Sequence, residues 1–274
     1  MLGLSAIHHT TFGVNGAEPD YPGVIALFAE RSAPYGVPVD RWQNLPGNRN
    51  SYAHMGKPVL RGLAGSTDPD LVVVAHALPD CGLATSISGY LDQGCTGQPL
   101  TFAVTEQGRA TPFTAIRLVQ QLATGGYRRA AVLAMDQGTI AYSDPALAGL
   151  DFGTDHAVGL LFTPDGAIKA GLARHLPGVS LERLDSVLAA ELAELPSGPV
   201  TLVCGPTVPP PRTPHRLRVA PKDRLCTSVW AELAAELETA TSFARMVLVV
   251  EYEPELGYLC LCTFHVPENL GTRP

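Results

Sequence analysis

Apolar runs and apolar periodicity divide the chain into alternating strands and helices. Residues 70–75, 100–105 and 129–135 form short apolar runs, and the first is apolar enough for a strand buried on both faces of a sheet. Between the last two runs, apolar side chains recur at helical spacing over residues 112–123, and Gly125-Gly126 follows as a helix stop. This pattern predicts a βαβ unit.

The alternation continues through the rest of the chain. A strand over residues 157–162, a turn at Pro164-Asp165-Gly166 and a strand over 168–172 predict a hairpin. The later predictions, in chain order, are a helix over 181–195, a strand over 200–204, a proline-rich loop over 208–214, a helix over 227–239 and strands over 246–251 and 259–266. The segment over 16–65 is rich in Gly, Pro and Asn, and only residues 23–31 have a helical pattern there.

The two parts of the chain repeat the same order of elements without a visible sequence repeat. This order predicts a pseudo-duplicated α/β fold. We expect a single domain over residues 1–274, with a first half over 1–165 and a shortened second half over 166–274.

Composition narrows the class of protein. Only 16% of the 274 residues are charged, against roughly 25% in an average soluble domain. A large core is therefore expected and global disorder is excluded. The net charge is −7 without a basic stripe, which argues against a nucleic-acid partner. We find no apolar run of about 18–20 residues and no signal-peptide pattern, so we expect a cytoplasmic protein with no membrane partner.

The six cysteines form no recognisable metal or disulfide pattern. No CxxC pair occurs, and Cys260 and Cys262 share one face of a strand at a spacing that makes a poor disulfide. We expect reduced thiols that are mostly buried as small core residues. Gly-rich phosphate loops of the GxGxxG type are also absent, so neither a metal nor another cofactor is expected.

Four stretches together carry a resemblance to a known family by their order and spacing. They are residues 70–75 with the following Pro79-Asp80 and 84–86, residues 102–104 with the following helix and 125–133, residues 155–161, and more weakly residues 226–228 with 245–251. On these residues the chain resembles the thiolase superfamily and, within it, the ketoacyl-carrier-protein synthase III branch. The resemblance implies a five-layer α-β-α-β-α fold, here shortened before Asp70 and between Cys204 and Arg216.

The resemblance also implies a catalytic centre, and the chain departs from it at every position. Such enzymes need a cysteine nucleophile at a helix N-terminus, a histidine, an asparagine or second histidine, and a Gly-rich turn. The nucleophile position falls on Gly108 or, with a shift of one residue, on Gln107. The histidine position falls on Gly205 and the asparagine position on Cys226, and the turn after residues 249–251 has one glycine, Gly257. Neither glutamine nor glycine can form a thioester.

Several side chains are candidates for binding or chemistry in the former acyl pocket. Glu106 and Gln107 are expected at its bottom, where they bind a carbonyl or fill the cavity. Arg109 opens the following helix and is a candidate contact for a carrier phosphate or for a buried carboxylate. Cys226 precedes a helix, where a thiolate is stabilised, and is a candidate relocated nucleophile. The plainer interpretation of Cys226 is a small buried residue in place of asparagine.

Other polar residues have weaker claims. His156 replaces a family glycine and His76 follows a strand, and for both a packed role is favoured over a role in the pocket. His8 and His9 are adjacent on a strand and face opposite sides, so they cannot readily share a metal. Cys81 lies in the loop that, in the family, reaches toward the dimer partner.

Two main hypotheses of function follow. Loss of the catalytic residues favours a non-catalytic ketosynthase-like subunit, because the pair Glu106-Gln107 resembles chain-length factors, and the shortened chain resembles the degenerate subunit of heterodimeric alkylquinolone synthases. Its expected partners are a competent ketosynthase or a second copy, paired through the strand Leu100–Thr105, and an acyl carrier protein or acyl-CoA. The alternative is an acyltransferase, cyclase or hydrolase that uses Cys226, His156 and Glu106. A ligand-binding or scaffold protein is a third, weaker hypothesis.

Overall fold

The computed structural model describes residues 2–15, 22–38, 47–65, 68–82, 85–140, 153–239 and 243–268. The first half contains β1 (Gly3–Phe12), α1 (Pro22–Ser32), α2 (Tyr52–Ala64), β2 (Leu71–His76), α3 (Ile87–Asp92), β3 (Leu100–Val104), α4 (Thr111–Leu122), β4 (Ala130–Asp136) and β5 (Asp155–Thr163). The second half contains β6 (Ile168–Ala170), β7 (Arg174–Leu176), α5 (Leu181–Ala193), β8 (Val200–Cys204), β9 (Arg216–Val219), α6 (Ser228–Leu237), β10 (Arg245–Glu253) and β11 (Tyr258–Val266). No helix in these ranges is long and apolar enough to cross a bilayer.

The two halves have the same strand topology, which confirms the predicted pseudo-duplicated fold. The sheet has the order β3-β2-β4-β5-β1-β6-β11-β10-β8-β9. In the first half β2 is parallel to β3 and β4, and β4 is antiparallel to β5. In the second half β8 is parallel to β9 and β10, and β10 is antiparallel to β11. Each half therefore has three parallel strands at its core, and the carboxyl ends of these strands lie on the same side of the sheet.

Three apolar clusters separate the helices into layers. The central cluster packs α4 and α6 between the strands of both halves and includes Phe113 and Trp230, whose rings lie 4.9 Å apart. A second cluster packs α2 on the outer face of β2, β4 and β5. A third packs α5 on the outer face of β8 and β10. The resulting order of layers is helix, sheet, helix, sheet, helix, as expected.

Helix α4 illustrates why these elements form. Pro112 occupies the first turn, where its missing N–H costs nothing. Phe113, Ile116 and Val119 follow at a spacing of three and are buried against the sheet. Gly126, with φ of +110°, ends the helical segment in a left-handed conformation that glycine adopts readily.

The shortened second half is visible between β8 and β9. In the first half, α3 occupies the connection from β2 to β3. The corresponding connection over residues 205–215 contains no helix, as the run of prolines predicts.

The structure differs from the predictions at several elements, and the short strands β7 and β9 are among those not predicted. Strand β6 does not pair with β5 as a hairpin, because the nine-residue pairing of β1 with β5 takes that edge, and β6 pairs with β1 and β11 instead. The pattern also missed α2, which begins after the N-cap Ser51 and tolerates Pro58 in its interior. The missed helix contains Gly56, which leaves room for Leu91 and Leu133 to pack against its backbone.

Candidate functional site

The positions to which the resemblance assigns the catalytic residues lie together at the carboxyl ends of the parallel strands. Gly108 precedes α4, Gly205 follows β8, and Cys226 precedes α6. The Cys226 thiol lies 3.6 Å from the carbonyl oxygen of Gly108, and the Gly205 N–H donates to Val250 O at 2.8 Å. Two carboxylates at the end of β10 fill the space between these positions.

The first of these carboxylates, that of Glu253, lies against Gly108, where the resemblance predicts the nucleophile. The backbone N–H of Arg109 donates to Glu253 Oε2 at 2.8 Å. A Cβ atom at Gly108 would collide with the same carboxylate, and Gly108 has a left-handed φ of +51°. The buried Glu253 therefore binds the N-terminal end of the α4 segment, where partial positive charge stabilises an anion.

The second carboxylate, that of Glu251, lies against Gly205, where the resemblance predicts the histidine. Glu251 is fully buried, and a Cβ atom at Gly205 would collide with its side chain. The Thr207 hydroxyl donates to Glu251 Oε1 at 3.1 Å, whereas Oε2 has no hydrogen bond within the described part of the chain. Burial raises the pKa of Glu251 to about 7, although the Arg109 charge opposes this shift.

Arg109 ties these groups together. Its side chain is buried, with Nη1 donating to Arg224 O at 2.7 Å and lying 4.0 Å from Glu251 Oε2. Of the two partners considered for Arg109, the structure therefore places a buried carboxylate beside it.

A matching contact stabilises the other central helix. Asp136 ends β4 in the first half and accepts hydrogen bonds from the backbone N–H groups of Leu225, Cys226 and Thr227 at 2.7–3.1 Å. Thus Asp136 caps α6 as Glu253 caps the start of α4. Each half places a carboxylate at the N-terminus of the other half's central helix.

Cys226 is poorly placed for nucleophilic attack. The residue is 1% exposed. Burial, and then the charge of Asp136, raises the pKa of its thiol well above the usual value. A buried thiol of high pKa agrees with the plainer interpretation of a small core residue.

Glu106 and Gln107 lie nearer the surface than expected. Glu106 is exposed and has a left-handed φ of +63°, because the chain turns sharply between β3 and α4. Gln107 is half-buried, and its Oε1 accepts a hydrogen bond from the Thr114 hydroxyl. Neither fills the space between Gly108, Gly205 and Cys226, which Glu251 and Glu253 fill instead.

The histidine candidates lie in packed surroundings. His156 is buried, with Nδ1 3.2 Å from His9 Nε2 and Nε2 2.8 Å from the Thr154 hydroxyl. Burial, and then the charge of Arg224, lowers the pKa of His156 to about 4. His76 Nδ1 lies 2.7 Å from Leu78 O, and its ring packs on Tyr52.

The remaining minor candidates are placed as follows. Cys81 is buried, and His8 Nε2 contacts the Thr10 hydroxyl at 3.0 Å. Within the described ranges, no group of three or more His, Cys, Asp or Glu residues could hold a metal ion.

Sequence reasoning missed Glu251 and Glu253. The sequence contains a signal for them, because two acidic residues at a spacing of two share one face of a strand that is apolar over residues 246–250. The odd-numbered residues Val247 and Val249 belong to the central cluster, so Glu251 and Glu253 continue the face that packs on α4 and α6.

The polar groups of this centre bind the backbone and one another. It presents a guanidinium, two carboxylates and a buried thiol in a space closed by packing. Its one thiol, that of Cys226, is 1% exposed and therefore poorly placed to attack an acyl donor.

The fold is similar to those of known condensing enzymes. No protein-family model and no curated protein matches the chain. The acyltransferase ChlB3 matches with a TM-score of 0.63 and 13% identity, over 99% of this chain and 99% of that chain. The tetronic acid condensing enzyme AbyA1 matches with a TM-score of 0.60 and 13% identity, over 97% of this chain and 100% of that chain.

A 3-oxoacyl-(acyl carrier protein) synthase is also similar over nearly the whole chain. The 3-oxoacyl-(acyl carrier protein) synthase III FabH of Pseudomonas aeruginosa PAO1 matches with a TM-score of 0.57 and 12% identity, over 98% of this chain and 99% of that chain. These likenesses extend along nearly the whole chain and agree with the topology of both halves. The chain therefore has the thiolase-like fold of the 3-oxoacyl-(acyl carrier protein) synthase III type.

Proposed function

We propose that this chain is a ketosynthase-like subunit that does not itself form an acyl-enzyme. The observation that supports the proposal is the contact of Glu253 with Gly108 and of Glu251 with Gly205, where the resemblance predicts the nucleophile and the histidine. Claisen condensation on this scaffold needs a thiolate at the helix N-terminus, and that place is held by a carboxylate bonded to Arg109 N–H.

The proposed role is that of a partner. A subunit with this fold can pair with a competent ketosynthase, or with a second copy, through the β3 edge of its sheet. Residues Leu100–Val104 carry no charge, and Leu100 is 43% exposed. An uncharged, partly exposed edge strand favours pairing with another strand. An acyl carrier protein or acyl-CoA remains the proposed source of any acyl group that the assembly handles.

The test measures acylation directly. The chain is incubated with hexanoyl-CoA and examined by intact-protein mass spectrometry, using a Cys95→Ser variant because Cys95 is the described cysteine that is not buried. We expect no adduct, because the remaining described thiols are buried. A stable adduct of one hexanoyl group would overturn the proposal.

A Cys226→Ala variant in the same background identifies the site if an adduct forms. Loss of the adduct in this variant would instead establish the alternative, an acyltransferase or related enzyme with Cys226 as its nucleophile. The geometry gives that alternative no independent support, since Cys226 is 1% exposed.

A further inference from the structure

A groove lies along α4. We call it the α4 groove; it has a volume of about 380 Å³ and is lined by Gln107, Thr114, Arg117, Leu118, Gln121, His175, Pro177 and Tyr258. Residues 107–121 come from the first half of the chain and the other three from the second. Small-molecule sites commonly have volumes of about 300–1,000 Å³ and lie between structural units.

Hydrogen-bond donors converge on this groove. Gln107 Oε1 accepts from the Thr114 hydroxyl, which leaves the Gln107 amide N–H₂ group as the free end of that side chain. The Thr114 hydroxyl also lies 3.2 Å from His175 Nε2, so the imidazole holds this short network in place. Arg117 adds a guanidinium, which has donors and no acceptor.

The charge of the groove is positive. Among the described residues, Arg117 is the only charged one in the lining, which includes no Asp or Glu. Arg117 also forms no salt bridge with any residue in the described part of the chain. An anion in this groove would therefore meet an unneutralised cation and no like charge.

Apart from Gln121, the rest of the lining is largely apolar. Leu118, Pro177 and the ring of Tyr258 form this part, and the Tyr258 ring meets the His175 ring edge-on with centroids 6.0 Å apart. His175 packs in turn against Phe113 of the central cluster. The groove thus combines a fixed apolar wall with donors at one side, which suits a ligand with an anionic end and an apolar body.

We propose that the α4 groove binds an organic carboxylate. Its anionic end lies against Arg117 and the amide of Gln107, and its apolar body covers Leu118, Pro177 and Tyr258. Thr114 and His175 are positioning residues that keep the Gln107 amide turned toward the ligand. This binding site does not depend on whether the chain forms an acyl-enzyme.

The probe for the test is hexanoate, with hexanamide as its uncharged counterpart. Binding is followed by titration of the two-dimensional amide NMR spectrum of the full chain, and the side-chain N–H₂ signal of Gln107 is identified from its absence in Gln107→Glu. We expect saturation by hexanoate with a Kd on the order of 1 mM, which suits a ligand of this size. Hexanamide should bind at least about 10-fold more weakly, because it lacks the charge that Arg117 recognises.

The variants separate recognition from general effects of mutation. Gln107→Glu keeps an oxygen for Thr114 but replaces the donor with a negative charge, so it should weaken hexanoate binding by about 10-fold or more. Arg117→Gln should have a similar effect. Arg183→Gln, which removes an exposed arginine on α5 outside the groove, is the matched control and should leave the Kd unchanged.

Three results would overturn the proposal. They are the absence of saturable shifts with hexanoate, equal binding of hexanamide, and an unchanged Kd in both Gln107→Glu and Arg117→Gln. Melting temperatures measured for each variant establish that a loss of binding comes from a folded protein.

Discussion

At the scale of single residues, two independent effects disfavour any side chain at position 108, which Gly108 occupies. Its left-handed φ costs an L-residue about 1–2 kcal/mol, and a Cβ atom there would collide with Glu253. We therefore expect Gly108→Cys to lower the free energy of unfolding by about 3 kcal/mol. The measurement is urea denaturation followed by circular dichroism.

A double-mutant cycle with Glu253→Ala isolates the collision. If the carboxylate occupies the nucleophile position, the cost of Gly108→Cys should be smaller in the Glu253→Ala background. Gly125→Cys is the control, because a Cβ atom at Gly125 meets no atom within 4 Å. Additive costs in the cycle would contradict this account of the site.

Glu251 gives the protein a specific pH dependence. Burial raises its pKa from the ordinary 4.5 to about 7, so the folded chain retains a proton that the unfolded chain releases. This contribution to stability is complete below pH 4.5 and is lost as the pH rises through about 7. At 1.36 kcal/mol for each unit of pKa, the change amounts to about 3 kcal/mol.

Urea denaturation of the parent chain and of Glu251→Gln, from pH 4 to pH 8, tests this expectation. The parent chain should lose stability relative to Glu251→Gln as the pH rises, because glutamine does not titrate. A difference between the two chains that stays constant across this range would show that Glu251 does not titrate in the folded protein.

At the scale of elements, the two edge strands of the sheet differ in charge, and this difference predicts which edge pairs with a second copy of the chain. Strand β3 has no charged residue, whereas β9 carries Arg216 and Arg218. Charged side chains discourage pairing at an edge. We expect the double variant Leu100→Lys and Ala103→Lys to be monomeric under conditions where the parent chain forms dimers, since both side chains are exposed on β3.

Light scattering coupled to size-exclusion chromatography measures this effect. Val219→Lys, at an exposed position on the opposite edge β9, is the matched control and should remain dimeric. Co-expression with a ketosynthase encoded nearby extends the same comparison to a mixed pair. Equal dimerisation of the β3 variant and the control would place the interface elsewhere.

At the scale of the whole molecule, the central cluster makes each half depend on the other. Phe113 of α4 packs against Trp230 of α6, and Trp230 packs against Phe264 of β11. Separate fragments over residues 1–165 and 166–274 would each expose a face of this cluster to water. We therefore expect neither fragment to show a cooperative thermal transition by circular dichroism.

Mixing the two fragments provides the complementary measurement. The reconstituted pair should regain a cooperative transition, because the two halves associate through the pairing of β1 with β6 and through the central cluster. Cooperative unfolding of either fragment alone would contradict the expectation of a single domain.

The sequence by itself determined the main strands and helices and the absence of a cysteine from the turn between β3 and α4. Apolar spacing is a local signal, so it located β2, β4, α4 and β8 within one or two residues. The resemblance further predicts the nucleophile position at Gly108 or Gln107 and the histidine position at Gly205.

Only the tertiary structure decided what fills the vacated positions and how the strands are ordered. Arg109 and Glu253 are 144 residues apart, and no local pattern relates them. The insertion of β1 between β5 and β6, and the meeting of α4 with His175 and Tyr258, likewise depend on how distant segments pack. Periodicity reports which face of an element is buried, whereas the partner of that face is chosen by the packing of the whole chain.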